Sequence, residues 1–225
     1  MLRSLVAGFV GVLVGAAVVG VVARQWDKGV AKVVRAERFE LLDVEGRTLA
    51  KWGLGTHGGR GLFFYDKAGK ERMDLKILAD GSPALCLYDE AAKTRATLMV
   101  GEDGTPDLIL WDGAEKPRAS LVILPDGTPN LTLCDKAGTQ RAMLYLNEDG
   151  TPYLCLSDEA DKERATLSVQ EPRGAGLELA DENGKTRAAL GATDLQTIRT
   201  GVMERHPESS LVLFGPDGKV LWKAP

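Results

Sequence analysis

His57 stands in Gly-Thr-His-Gly-Gly-Arg-Gly, where closely spaced glycines could cradle a phosphate. A phosphate loop also needs a Gly-Lys-Ser or Gly-Lys-Thr run opening a helix, and neither follows. A series of aspartates offers carboxylates in Asp-x-x-Gly-Lys turns, Asp66 to Lys70 being one. That spacing lacks the alternating oxygen ligands of a calcium loop, and the lysine opposes a bound cation. Capping of turns is the role it fits. A parallel series of arginines suits either an anion-binding stripe or a solvated face paired with those aspartates. Cys86, Cys134 and Cys155 are odd in number and lack Cys-x-x-Cys spacing, so they suggest neither a disulfide framework nor a zinc site. His206 has Glu204, Arg205 and Glu208 beside it. One histidine among carboxylates does not make a catalytic set. No catalytic residue, metal or cofactor is therefore expected, and the chain is read as not an enzyme.

The elements that would position these residues come from a repeat. Asp43, Asp66, Asp89, Asp112, Asp135, Asp158 and Asp181 are spaced by 23 residues without slippage. Arg72, Arg95, Arg118, Arg141, Arg164 and Arg187 keep the same period, as do the pairs Asp80-Gly81, Asp103-Gly104, Asp126-Gly127 and Asp149-Gly150. Pro83, Pro106, Pro129 and Pro152 follow those pairs at one offset. His57-Gly58 occupies the slot of Asp80-Gly81, so the glycine-rich stretch reads as a variant turn. Leu49 stands where later units carry arginine, as in an atypical first repeat.

Within each unit apolar residues alternate with a period of two: Leu85 and Leu87, then Ala96, Leu98 and Val100 after the turn. Period two specifies strands with leucine, alanine and valine on one face, expected to be the buried one. The other face mixes Thr97, Ser120, Thr132 and Glu178 with larger apolar residues and is expected to be partly wet. Glycines in the turns supply the positive φ that hairpins need, and proline suits a strand's first residue. The expected fold is all-β, with eight 23-residue two-strand repeats following one N-terminal transmembrane helix. A meander of antiparallel hairpins, rolled or closed to cover its leucines, fits the turn chemistry best. A two-sided parallel β-solenoid is the alternative, although it would stack like charges.

Residues 1–24 read as a membrane anchor, 25–32 as a connector and 33–225 as the repeat domain. An insertion at about 192–210 displaces the eighth unit. From Ser4 to Ala23 there are twenty residues without a charge. At about 1.5 Å per residue they make about 30 Å of helix, enough to cross a bilayer core. Val21 and Ala23 also satisfy a small-residue cleavage pattern, so a cleaved signal is the alternative. Gly11 and Gly15 form a GxxxG pair that lets a second helix approach closely. Arg3 precedes the segment, whereas Arg24, Lys28, Lys32, Arg35 and Arg38 follow it, which favours a cytoplasmic domain. A short signal-like anchor delivers its domain outward instead, and an extracytoplasmic repeat domain is the reading adopted.

The period resembles that of MORN-type repeats, without their Tyr-x-Gly-x-Trp signature. RAERFELLDVEGR at the start and SSLVLFGPDGKVLWKAP at the end look like uncharacterised bacterial membrane-anchored β-hairpin repeat proteins. The resemblance implies architecture and no activity. A net charge of −4 argues against a nucleic-acid partner. The expected function is a non-enzymatic, membrane-anchored scaffold or accessory subunit that binds a protein partner or itself, with no small-molecule substrate. Glu204, Arg205 and His206 of the insertion are candidate partner contacts, since departures from a strict repeat are where binding loops are built. The alternative is a module for glycan or anionic polymer using the arginines with Trp111 or Tyr145. Against it, the residue before the turn aspartate varies: Tyr65, Tyr88, Trp111, Cys134, Ser157, Ala180.

Overall fold

The computed structural model describes residues 33, 35–55, 58–170, 174–191, 194–196, 203–205 and 211–224. The expected membrane segment, with Gly11 and Gly15, lies outside these residues, as do His57 and His206. Eight antiparallel hairpins follow one another. They are β1 (Phe39–Leu42) with β2 (Thr48–Leu54), β3 (Arg60–Tyr65) with β4 (Glu71–Ile77), and β5 (Pro83–Tyr88) with β6 (Thr94–Val100). Next come β7 (Pro106–Trp111) with β8 (Pro117–Ile123), β9 (Pro129–Cys134) with β10 (Gln140–Leu146), and β11 (Pro152–Ser157) with β12 (Glu163–Gln170). The last two are β13 (Gly174–Ala180) with β14 (Thr186–Gly191), and β17 (Leu211–Phe214) with β18 (Val220–Ala224). Between them β15 (Asp194–Gln196) and β16 (Met203–Arg205) pair as a separate two-stranded sheet.

The hairpins join edge to edge into one sixteen-stranded antiparallel sheet in chain order. The meander expected from the turns is therefore present and the solenoid is not. Among the described residues closure is absent as well: β1 pairs only with β2, and β18 only with β17. Each strand contacts its neighbours in the sheet and no other described element. The sheet is a single layer.

Two kinds of turn build it. In the first kind Asp66 N–H donates to the Lys70 carbonyl at 2.8 Å, and Gly69 N–H to the Asp66 carbonyl at 2.9 Å. The Asp66 Oδ1 accepts from the amides of Ala68 and Lys70 at 2.9 and 3.0 Å. The same two side-chain bonds recur at Asp43, Asp89, Asp112, Asp135, Asp158 and Asp181. Aspartate suits the site because its short side chain reaches its own backbone two residues on. In the second kind the aspartate precedes the glycine, as at Asp103, whose Oδ1 accepts from Thr105 N–H at 3.0 Å. Gly55, Gly58 and Gly59 make the backbone bonds of this second turn, so the glycine-rich stretch is a turn.

Every hairpin of the first kind carries a register shift, as does β17–β18, whose Asp217-Gly218 turn is of the second kind; the second-kind turns from β2–β3 to β10–β11 have none. At β3–β4, Phe64 faces Met73 and Tyr65 faces Glu71, which leaves Arg72 without a partner. The periodic arginine is thus the extra residue of a β-bulge, a position that frees its side chain from the ladder. In the first and last hairpins the bulge residue is Leu49 or Leu221 instead.

The left-handed position of the first turn is glycine in four units, but Ala92, Glu115 and Asp161 hold it at φ near 60°. A Cβ in that conformation is crowded against the following carbonyl, at a cost of about 1–2 kcal/mol. Gly69, at the equivalent place, has φ +75 and open space around it. Replacing Ala92→Gly should raise stability in urea denaturation by about 0.5–1 kcal/mol, after the larger entropy of unfolded glycine is subtracted. Gly69→Ala should lower it by about 1 kcal/mol.

Candidate functional site

One face of the sheet is constant. Leu62, Leu75, Leu85, Leu98, Leu108, Leu121, Leu131, Leu144, Leu154, Leu167, Leu177, Leu190 and Leu211 stand opposite one another, each facing the next across adjacent strands. Beside this ladder runs a row in which large and small alternate: Leu87, Ala96, Leu110, Ala119, Leu133, Ala142, Leu156, Ala165, Leu179, Ala188. A third row pairs Ile77, Val100, Ile123 and Leu146 with the prolines that open the next strands. From β4 to β17 none of the three rows holds a charged residue.

This face was expected to be the buried one, and it is not. Leu75 is 54% exposed, Leu98 51% and Leu121 47%. The residues that do lose their surface lie mostly opposite: Phe63, Ala84, Cys86, Thr97, Thr132, Cys155, Ala189 and Val212. The physical reason is the missing second layer. Leucines of similar height stand beside one another with no described element above them, whereas the other face sets large side chains such as Phe63, Tyr88 and Trp111 among small ones. Alternation tells which residues share a face; it does not tell which face is covered.

The second face varies from unit to unit. Its most polar point is Asp74, fully buried, whose Oδ2 accepts from Lys76 Nζ at 2.6 Å and from the Tyr88 hydroxyl at 2.8 Å. Lys76 Nζ also reaches the Tyr88 oxygen at 3.1 Å. The next unit places Thr97, Met99 and Trp111 at the same three positions, and Trp111 Nε1 donates to Thr97 Oγ1 at 3.2 Å. The ionic trio is therefore a charged version of a bond that the repeat also makes with neutral groups. An open depression of about 360 Å³ lies here, lined in part by Lys76, Ala84, Cys86, Tyr88, Thr97 and Trp111. Burial pushes the Tyr88 hydroxyl above its usual range, helped by its bond to Asp74. Burial likewise raises the Cys86 and Cys155 thiols, which keeps them protonated and unreactive. Asp74 and Lys76 escaped the sequence reading because that reading collected what recurs. Their signal was available as a departure, since the corresponding positions hold Thr97 and Met99.

Along the edge formed by the first kind of turn, bulge arginines tie neighbouring hairpins together at four places. Arg118 Nη1 lies 3.5 Å from Asp112 in its own turn, and its Nε donates to the Cys134 carbonyl of the next hairpin at 2.9 Å. Arg72 and Arg141 do the same with Tyr88 and Ser157, and Arg164 reaches Asp158 and the Asp181 carbonyl. Lys70 and Lys93 add bonds from their ammonium groups to the Glu90 and Gly113 carbonyls of the following turns. In the insertion, Glu204 pairs with Leu195 and Arg205 with Asp194 within the small sheet. Neither strand of that sheet contacts the large one. Among the described residues no group of three or more His, Cys, Asp or Glu side chains is placed to hold a metal, and no helix is long and apolar enough to cross a membrane.

No protein-family profile matches the chain, and no curated protein matches it in sequence. Among solved structures it is similar to the TCP domain of SAS-4 (dCPAP) of Drosophila melanogaster, in complex with a proline-rich motif of Ana2 (dSTIL). The identity is 13% and the TM-score 0.38, over 80% of this chain and 97% of that one.

Two measurements test the polar face. Asp74→Ala leaves the partly buried Lys76 ammonium without its counter-ion and should cost about 3 kcal/mol in chemical denaturation. The double change Asp74→Thr with Lys76→Met, which copies Thr97 and Met99, should stay within about 1 kcal/mol of the parent. Glu71 gives a pH signature. Its pKa is pushed up to about 7 by burial, by a hydrogen bond with Asp74 and by that carboxylate's charge, against the opposing charges of Lys76 and Lys51. The folded state holds this proton more tightly than the unfolded one. The stabilisation is complete below the ordinary value of 4.5 and is lost as pH rises through 7. The turn aspartates act with the opposite sign, because backbone amides and arginines hold Asp66, Asp89 and Asp112 below 3.8. Their contribution is present above that value and lost in stronger acid. The denaturation midpoint should fall between about pH 5 and 8, and Glu71→Gln should abolish that fall while leaving the acid limb.

Proposed function

We propose that this chain is a non-enzymatic scaffold or accessory subunit, held at a membrane by Ser4–Ala23, whose extracytoplasmic repeat domain mediates protein–protein assembly through its leucine face. The observation that carries this reading is the uncovered ladder of thirteen leucines. Soluble monomers rarely expose contiguous apolar patches beyond a few hundred Å². From β4 to β17 charge lies in the turns, at the bulges and on the second face, so the constant face is built for apolar contact and the rest of the domain for water.

The alternative reading, a module for glycan or anionic polymer, draws less support. An anion-binding stripe needs arginines with free guanidinium edges, and here they are engaged by the turn aspartates and by backbone carbonyls. Stacking on sugar rings favours an aromatic repeated at one position; the series at Trp111 ends after Tyr65, Tyr88 and Trp111, and Tyr145 has no aromatic counterpart in the other units.

A photo-crosslinking amino acid placed at Leu121 on the leucine face, or at Tyr145 on the other face, tests the proposal in native membranes. Leu121 should give discrete protein adducts, copies of the chain included, and Tyr145 should give few. Adducts only to lipid, or none from Leu121, would overturn the reading.

A further inference from the structure

The occupant of the leucine face can be named from the pattern of the face itself, an inference that rests on the docking role proposed above. We propose that it is a second copy of this chain, packed face to face about a two-fold axis parallel to the strands. The axis passes between β8 and β9.

Symmetry is the first reason. The sheet has sixteen strands, so its midpoint falls between the eighth, β8, and the ninth, β9. A two-fold axis there, along the strand direction, lays β8 over the partner's β9, β7 over β10, β6 over β11 and β5 over β12. It keeps each side-chain row above its own kind. In the alternating row Ala119 then meets Leu133, Leu110 meets Ala142, Ala96 meets Leu156 and Leu87 meets Ala165. Over these eight central strands every large side chain of the row faces a small one; further out, Met73 on β4 meets Leu179 on β13. Two facing sheets pack densely only when large and small interdigitate in this way. An even strand count and strict alternation give that complementarity to the chain with itself. A two-fold contact is self-complementary by nature, and this face has the property built in.

Extent is the second reason. The first row continues through Phe39 and Trp52 at one end and Ala224 at the other, so at about 4.8 Å between strands and about 3.3 Å between residues the face of the sixteen strands covers roughly 70 by 15 Å. A face-to-face pair would bury about 2,000 Å² in total, within the range of permanent dimers. The Ser4–Ala23 segment, at about 30 Å as a helix, would cover less than half of that length. An anionic lipid surface is disfavoured by the charges at the margin, where Asp80, Asp103, Asp126 and Asp149 line one edge of turns on a chain of net charge −4. Strand twist is the third reason. It accumulates along a wide sheet, so a flat partner touches only part of it, whereas a partner of identical twist can follow it throughout.

The test is the mass of the full-length chain in mild detergent by sedimentation, with Gly11→Leu and Gly15→Leu introduced throughout to remove association through the membrane segment. A dimer is expected at micromolar concentration. Leu121→Lys with Leu131→Lys, or Leu121→Glu with Leu131→Glu, puts like charges at the axis and should weaken it by about 100-fold or more. Mixing the two variants should restore a heterodimer, which also shows that both have folded. Ala119→Leu should weaken the dimer by about tenfold, and adding Leu133→Ala should recover it. A monomeric parent, or charged variants that remain dimeric, would overturn the proposal. Failure of the size exchange to matter would overturn the two-fold register. A monomeric parent that still gives Leu121 adducts to another protein in membranes would leave the scaffold reading standing. Loss of both results would end both.

Discussion

From Asp66 to Asp181 each first-kind turn engages its aspartate at both oxygens: one accepts two amides and shapes the turn, the other holds the bulge arginine. Arg72, Arg118 and Arg141 then reach the carbonyl that precedes the next aspartate turn. This relay of carboxylate, guanidinium and carbonyl matters because the sheet has no second layer to press its strands together. Stability must arise within the plane, from backbone ladders, from cross-strand pairs of about 0.2–1 kcal/mol each, and from ties between consecutive hairpins. The bulge is what allows the tie. An arginine in register would point up or down from the sheet, whereas one left over by the register shift can run along the edge. In the β17–β18 hairpin, which closes the described sheet, the bulge residue is Leu221.

Much of this was legible in the sequence. Glycine, aspartate and proline at fixed offsets specified hairpins because each satisfies a particular backbone need, and the strands follow the period as read. The eighth unit was likewise recognisable from Leu211, Leu213 and Gly218. What could not be read was which face is covered, since period two assigns residues to faces and is silent about layers. The bulge was hidden for a related reason. A 23-residue repeat does not say which of its residues lacks a partner, and Arg72 sits in an otherwise regular alternation. The Asp74, Lys76 and Tyr88 trio was missed because a search for recurrence discards exceptions.

The two faces divide the constraints on the chain. On the leucine face one residue type holds the same place on thirteen successive strands, although that place is open to water in the isolated domain. On the other face the equivalent places run through Phe63, Cys86, Ile109, Thr132, Cys155 and Glu178. Burial there is achieved by unlike neighbours filling one another's gaps. Uniformity where there is no cover, and variety where there is, is the reverse of what a self-sufficient core requires. It is the arrangement of a surface completed by something else.

The linear strand order also shapes how the chain reaches this structure. Nearly every strand pairs with its neighbours in sequence, so each hairpin closes a short loop and can form as soon as its residues are available. Such local topology lowers the entropic barrier to folding and lets growth proceed from any completed hairpin. A chain emerging end first can therefore extend the sheet one strand at a time. The exception is the step from β14 to β17, where 19 residues must be bridged before the ladder resumes. The final hairpin is the part of the sheet that has to wait for a longer closure, and until it docks β14 is a growing edge.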